Sequence, residues 1–343
     1  MGGDTLGIEK SGIEVVAFND FNKTAVNSHK RNSNSKLLHE DILDITKIPD
    51  SVFLELAGQI NLIFAGFPCQ GFSHGGKKLP DDPRNTLFKE FVRATEIVQP
   101  EFIIGENVEG LLSRTTPNGE KYIDIIQESF EEIGYKIKYK VIKSEDCGVP
   151  QLRRRLIIIG VHNLLDYDYE FPEEVCCCGN LNFLEETLKG SVCISGIYPV
   201  DKCKKLNPIH IHKDDREEND SVHPYILSII NKEPVYMEKH FDCLLSYGKR
   251  ESPIHLEIVD REKPSKTIIC TYNHQPRLLV PLKYDNKYYI RPYTVHELKQ
   301  IQGFPKEFEI CGNTKEQIIQ IGNAVPPGLV EHILKPIISF MSQ

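Results

Sequence analysis

Short apolar runs alternate with stretches of helical period through the first half of the chain, and this alternation predicts a sheet flanked by helices. Strands are expected at Glu14–Phe18, Asn61–Phe67, Phe102–Glu106, Lys136–Ile142 and Arg155–Val161. Between them, Thr86–Val98 and Lys121–Ile133 repeat apolar residues every three or four positions, as helices with one buried face do. That order is typical of an α/β fold with a mostly parallel sheet, whose ligands bind at the carboxyl ends of the strands. From about Asn163 to Ile290 the alternation gives way to short strands, prolines, asparagines and charge clusters, which marks a second, less regular module. Helical pattern returns at Thr294, where Thr294-Val295-His296-Glu297 reads as a capping box, and again over Gly328–Phe340 behind Pro326-Pro327. The last helix is expected to pack back on the first domain.

Length and composition narrow the class. The chain has 343 residues, enough for one or two domains at the usual ~100 to 200 residues each. No apolar run reaches the ~18 residues of a membrane span, and the start MGGDTLGIEKSG lacks a leader pattern, so an intracellular protein is expected. Ten cysteines lack paired CxxC spacing, and Cys176-Cys177-Cys178 are too close together for tetrahedral zinc, so no metal site is expected and most thiols read as reduced and structural. A net charge of −8 argues against nucleic-acid binding by the whole surface. Local patches remain: residues 136–155 and 261–291 each carry seven Lys/Arg against two Asp/Glu, while acid gathers at residues 214–220.

Four segments stand where chemistry is expected. Cys69 follows Pro68 at the end of a strand, in Phe67-Pro68-Cys69-Gln70-Gly71-Phe72-Ser73, a restricted turn suited to an attacking thiolate. A glycine-containing polar stretch through Arg84 follows it and reads as a loop. Glu106 closes the apolar run 102–105 and would stand beside Cys69 if their strands are neighbours. In Gln151-Leu152-Arg153-Arg154-Arg155, alternate residues of an extended chain share a face, so Arg153 and Arg155 are expected to point together. Gln320-Ile321-Gly322-Asn323-Ala324-Val325-Pro326-Pro327 sets an asparagine between two helices. Taken singly, each has an ordinary structural explanation: a buried cysteine, a solvated carboxylate, a basic strand, a helix connection.

In this order and spacing the segments closely resemble the cytosine-carbon-5 DNA methyltransferase family, over nearly the whole chain. Family motif IV is similar to PCQGFS, motif VI to Glu106-Asn107-Val108, motif VIII to Gln151-x-Arg153-x-Arg155, and motif X to residues 322–326. Motif IX is similar to Arg291-Pro292-Tyr293-Thr294 through Gln302-Gly303-Phe304-Pro305. The resemblance implies a Rossmann-like catalytic domain over 1–162 and 312–343 and a target recognition domain over 163–311. It also implies transfer of a methyl group from S-adenosylmethionine to carbon 5 of a flipped-out cytosine in double-stranded DNA. Cys69 would be the nucleophile, Glu106 would hold ring nitrogen 3 and the exocyclic amine, and Arg155 would contact the carbonyl oxygen, with Arg153 lending positive potential. Asp20 matches the ribose-binding acid, Phe21 the adenine-packing aromatic and Asp41-Ile42 the adenine-edge pair. Pro68, Leu87, Asn323 and Val325 match other cofactor-lining positions, and Gln70, Ser73 and Arg84 would meet DNA.

The family begins with a strand and an aromatic, small-residue, glycine turn facing the methionine end of the cofactor. Here Met1-Gly2-Gly3 aligns with the close of that turn, so the first strand is missing, a truncated or misassigned start is expected, and with it weak cofactor binding. Two alternatives follow: methylation of transfer RNA by the same family, whose distinctive Cys-Phe-Thr motif is not found here, and a catalytically silent DNA-binding protein. A monomer is expected. Neither the DNA sequence recognised nor a companion restriction endonuclease can be read from these residues.

Overall fold

The computed structural model describes residues 1–67, 87–175, 179–189, 191–193, 210–211, 246–247, 257–274 and 276–342. Two compact units divide the chain, one of Met1–Cys177, Glu307–Gly312 and Ala324–Gln343, the other of Cys178–Lys306 and Asn313–Asn323.

The first unit opens on α1 (Gly3–Lys10), β1 (Ala17–Phe18), α2 (Lys23–Asn32), β2 (Lys36–Leu37) and α3 (Asp50–Leu54). It continues through β3 (Leu62–Ala65), α4 (Phe88–Val98), β4 (Phe102–Val108), α5 (Tyr122–Glu132), β5 (Tyr135–Lys143), β6 (Gln151–Leu152) and β7 (Arg154–His162). The five strands read from apolar runs are present, as are both helices. Their central sheet has the order β3-β4-β7-β5. β3 and β4 are parallel, and β7 runs antiparallel between β4 and β5, so three of the four strands point the same way. β1 and β2 form a parallel pair of their own.

Period-two alternation decides which core each strand residue enters. Phe102 and Ile104 of β4, with Ile157, Ile159 and Val161 of β7, face one cluster that includes Ile8 of α1 and five residues of the C-terminal helix. Ile103, Leu156 and Ile158 face the other, built from Phe88 and Phe91 of α4 and Ile123, Ile126 and Phe130 of α5. Burial on both faces is why these strands read as continuous apolar runs. Each such side chain contributes about 1.5–3 kcal/mol of transfer free energy. On the first face α1 lies so close to the C-terminal helix that a Cβ at Gly7 would stand 2.6 Å from Val330 Cβ and 2.7 Å from the Pro327 carbonyl oxygen.

The second unit carries the short strands β8 (Val192–Cys193), β9 (His210–Ile211), β10 (Ser246–Tyr247), β11 (Glu257–Ile258) and β12 (Ser265–Lys266). Longer elements follow: β13 (Leu278–Tyr284), β14 (Lys287–Pro292), α6 (Val295–Ile301) and α7 (Thr314–Asn323). α8 (Pro327–Met341) returns to the first unit, as the sequence led one to expect. β13 and β14 form a hairpin in which Tyr284 pairs with Lys287, and the two turn residues Asp285 and Asn286 have φ of 47° and 56°. That left-handed pair is the geometry a two-residue hairpin turn requires.

At the foot of the hairpin lies a buried ion pair. The Arg291 guanidinium donates to both Glu297 carboxylate oxygens at 2.7 Å, and both side chains are 0% exposed. Arg291 Nε also donates to the Thr187 carbonyl, while Glu297 accepts from the backbone N–H groups of Thr294 and Glu185. The capping box expected at Thr294 is present, and its Glu297 serves the buried pair as well. Burial pushes the Glu297 carboxyl up, but the bonds from Arg291, Thr294 and Glu185 outweigh it, so its pKa lies below the ordinary carboxylate value. A carboxyl depressed on folding contributes stability above its unfolded pKa that is lost as pH falls through the folded one. Glu297→Gln should therefore cost about 3–5 kcal/mol at neutral pH, as expected when one partner of a buried pair is removed. In urea melts from pH 7 downward, the gap between the wild type and this variant should narrow.

Candidate active site

The site is built where the pairing of β3 with β4 ends, while β4 runs on beside β7 to Val108. Ala65 pairs with Gly105, so the next residues of the two strands, Gly66 and Glu106, leave the ladder side by side. A Cβ at Gly66 would stand 3.8 Å from Glu106 Oε2. Phe67, the last described residue before Pro68 and Cys69, turns its ring into the core against Phe91, at a centroid distance of 6.2 Å. Gly105 makes room for it, since a Cβ there would meet Phe67 Cε1 at 3.2 Å. The strand neighbourhood on which the sequence reading depended is thus present. Pro68, Cys69, Gln70, Ser73 and Arg84 lie outside the described residues.

Glu106 is joined to Arg155, whose Nε stands 2.8 Å from Glu106 Oε1, with side chains 12% and 14% exposed. The pair arises from topology: β7 lies beside β4 with Arg155 opposite Val108. Arg155 also donates to the Arg154 carbonyl, and Arg154 forms a more exposed pair with Glu109 at 2.8 Å. A half-buried carboxylate held by a guanidinium has a fixed direction and retains free lone pairs for a polar ligand.

Arg153 has a different setting. It lies between β6 and β7 and is 1% exposed, and its Nη2 donates to the Ala324 carbonyl oxygen at 3.1 Å. That bond spans 171 positions and ties the strand connection to the residue before Val325. Val325 itself is 7% exposed, packed in the core with Leu329 and Val330 of α8.

A second group of expected residues gathers around β1 and β2. Beyond β1, Asp20 Oδ1 accepts from the Asn22 N–H at 2.8 Å, and Asn22 Oδ1 in turn caps α2 through the N–H groups of Thr24 and Ala25. Asp20 Oδ2 stands 3.6 Å from the Met1 amino group. Phe21 is 69% exposed. Beyond β2, exposed Asp41 donates its N–H to His39 Nδ1 at 3.0 Å, and Ile42 follows half-buried. Beneath β1 lies His29, for which no sequence signal was available; its ring stacks on Phe18 at 3.5 Å and contacts Ser35 Oγ at 2.8 Å. Burial pushes the His29 pKa down to about 3, so it is a neutral prop for the strand. Leu87 is half-buried just before α4, and Asn323 is the exposed last residue of α7. In the second unit, Gly322 is required by space: a Cβ there would stand 2.6 Å from the Cys270 nitrogen.

Among the described residues no cluster of His, Cys, Asp and Glu could hold a metal, and no helix is long and apolar enough to cross a membrane. Cys147, Cys270 and Cys311 are free thiols, and burial pushes Cys147 up to about 12, which keeps it protonated and inert.

The family model for C-5 cytosine-specific DNA methylase matches residues 1–339. The chain belongs to that family. It is 32% identical to the type II methyltransferase M.BspRI of Lysinibacillus sphaericus, over 96% of this chain and 71% of the relative. It is 33% identical to M.PspPI of Psychrobacter sp., over 99% and 77%. Among solved structures, a DNMT2 mutant of Spodoptera frugiperda superposes with a TM-score of 0.65 at 18% identity, covering 99% of this chain and 96% of that one, a likeness of fold alone. The methylase is accordingly an enzyme with an α/β, Rossmann-like fold, a DNA (cytosine-5-)-methyltransferase.

Among the described residues, Asn107 is another that the sequence reading passed over. It follows Glu106 directly, is 2% exposed, and its Nδ2 donates to the Phe67 carbonyl at 3.3 Å. A polar side chain one position past a candidate acid, on the opposite face of the same strand, was the available signal.

The Arg153 bond is testable by stability. Arg153→Met keeps much of the volume and removes the charged donor from Ala324, and should lower the unfolding free energy by about 1.5–3 kcal/mol, the range for a hydrogen bond to a charged group. Urea titration of the two proteins measures it.

Proposed function

We propose that the methylase acts through Cys69, which adds to carbon 6 of a cytosine rotated out of double-stranded DNA. The observation that carries this reading is the Glu106–Arg155 pair at 2.8 Å, at the end of the strand beside the one that leads into Pro68-Cys69. Carbon 5 of cytosine is a poor nucleophile until a thiolate adds at carbon 6 and pushes electron density onto it. Glu106 would hold ring nitrogen 3 and accept from the exocyclic amine, limiting charge build-up on the ring. Arg155 keeps that carboxylate oriented and would donate to the carbonyl oxygen on carbon 2. Loss of the carbon 5 proton then restores the ring double bond and expels the Cys69 thiolate.

Family membership implies S-adenosylmethionine as methyl donor. The residues around β1 and β2 fit its nucleoside: a carboxylate whose Oδ1 is fixed by a turn suits a ribose diol, and an exposed ring suits a purine face. Asp20, Phe21, Asp41 and Ile42 would hold it, with Pro68, Leu87, Asn323 and Val325 as further lining. When bound, the cofactor supplies an electrophilic methyl group. Arg153, which also ties the chain to the Ala324 carbonyl, would lend positive potential to the site.

Gln70, Ser73 and Arg84 would contact DNA around the displaced base, and residues 163–311 would read the sequence, with the basic stretch 261–291 on phosphates. The enzyme would work as a monomer inside the cell, where its substrate is. Its type II methyltransferase relatives support a place in restriction–modification. They also favour duplex DNA over transfer RNA, and activity over a silent DNA-binding role.

Labelled methyl transfer to duplex DNA and to transfer RNA, assayed side by side, tests the reading. Wild type should label duplex DNA only, Cys69→Ser should label neither, and Glu106→Gln should lose about 10²–10⁴-fold in rate, the usual worth of a positioned acid–base group. Labelling of transfer RNA alone, or full activity in Cys69→Ser, would contradict it.

A further inference from the structure

Consecutive residues of β4 flank the chain that leaves β3, one on each face. Glu106 lies against Gly66, whose Cβ position is 3.8 Å from Oε2. Asn107 points to the opposite face, is 2% exposed, and donates through Nδ2 to the carbonyl oxygen of Phe67 at 3.3 Å. Its Oδ1 accepts the N–H of Val108 at 2.8 Å, which fixes the orientation of the amide: oxygen toward its own strand, nitrogen toward Phe67. The Phe67 carbonyl lies two residues past the last ladder residue of β3, so it has no place in the strand pairing with β4. The Phe67 ring is held on the same face, in the space left by Gly105 and against Phe91.

We propose that Asn107 is a positioning residue for the methyl-transfer reaction: it clamps the carbonyl of Phe67 and thereby fixes the origin from which Pro68-Cys69 continue. The proposal rests on the reading of Cys69 as nucleophile and goes beyond it. One rigid strand then sets two things at once, the direction of the Glu106 carboxylate and the anchor of the chain bearing the thiol. Asn suits this task because the clamp needs a donor toward Phe67 and an acceptor toward Val108 in one planar group. Misplacement of a reacting group by about 1 Å costs about 10²-fold in rate. A loosened anchor would therefore be felt in the chemical step and not in DNA affinity.

Single-turnover methyl transfer to duplex DNA at saturating cofactor, with wild type, Asn107→Ala and Asn107→Asp, tests the proposal. Asn107→Ala should lose about 10²-fold in rate per folded molecule, with KM for DNA within about threefold of wild type. Asn107→Asp cannot donate as a carboxylate but can as a carboxylic acid, so its rate relative to wild type should rise as pH is lowered. Ionisation of a buried Asp also destabilises the fold, so the ratio is taken per folded molecule at each pH, and a residue that merely fills space would then give a ratio independent of pH. If Asn107→Ala does not fold, the pH profile of Asn107→Asp decides. An unchanged rate in Asn107→Ala, or a flat ratio for Asn107→Asp, overturns the proposal while leaving Cys69 chemistry intact. A wild type that transfers no methyl group to DNA overturns the reading of Cys69 and the proposal together.

Discussion

The parallel pairing of β3 with β4, Ala65 opposite Gly105, is the constraint on which the rest of the site depends. Parallel strands end at the same edge of a sheet, so two segments about forty residues apart deliver their next residues to one place. The pairing is difficult to shift because both faces of β4 are buried, and a slip of one residue would exchange Phe102 and Ile104 with Ile103 between two different cores. It would also move Glu106 to the face now taken by Asn107. Packing therefore fixes the register, and the register fixes the chemistry.

Two arginine–glutamate pairs show how burial separates a working pair from a scaffold. Arg291 and Glu297 are fully enclosed, and the bonds described for Glu297 come from Arg291 and from two backbone N–H groups. That pair joins the 185–187 segment, β14 and α6 within the second unit, and its removal is felt as stability. Glu106 and Arg155 retain 12% and 14% exposure, a single guanidinium contact joins them, and capacity is left for a ligand. Similar partners at similar distances thus do different work because one site is closed and the other is partly open to solvent.

The strands were legible because a doubly buried stretch must be apolar throughout, and residues 102–105 and 156–161 are. Direction was not legible: nothing in the run Ile157-Ile158-Ile159 says that β7 inserts antiparallel, yet that insertion brings Arg155 to Glu106. β4 also runs on to Val108, past the point where its apolar residues stop, because Glu106 and Asn107 still pair with β7. The alternation that put Arg153 with Arg155 assumed an unbroken strand, whereas Arg153 falls between β6 and β7. The capping box at Thr294 could be read locally, but the second partner of its Glu297 came from a preceding strand, which local reading does not see. Glu106 could be named as a candidate through the motif its segment resembles, while Asn107 takes its role from Phe67, a contact that only the fold supplies.

The central claim, that these strand ends serve a covalent reaction at Cys69, is tested most directly by duplex DNA containing 5-fluorocytosine. The fluorine blocks the final elimination, so the protein–DNA adduct persists and can be digested and mapped by mass spectrometry. The account predicts one modified peptide, carrying the base on Cys69, and no adduct from Cys69→Ser. An adduct on any other residue, or trapping that survives Cys69→Ser, would contradict it.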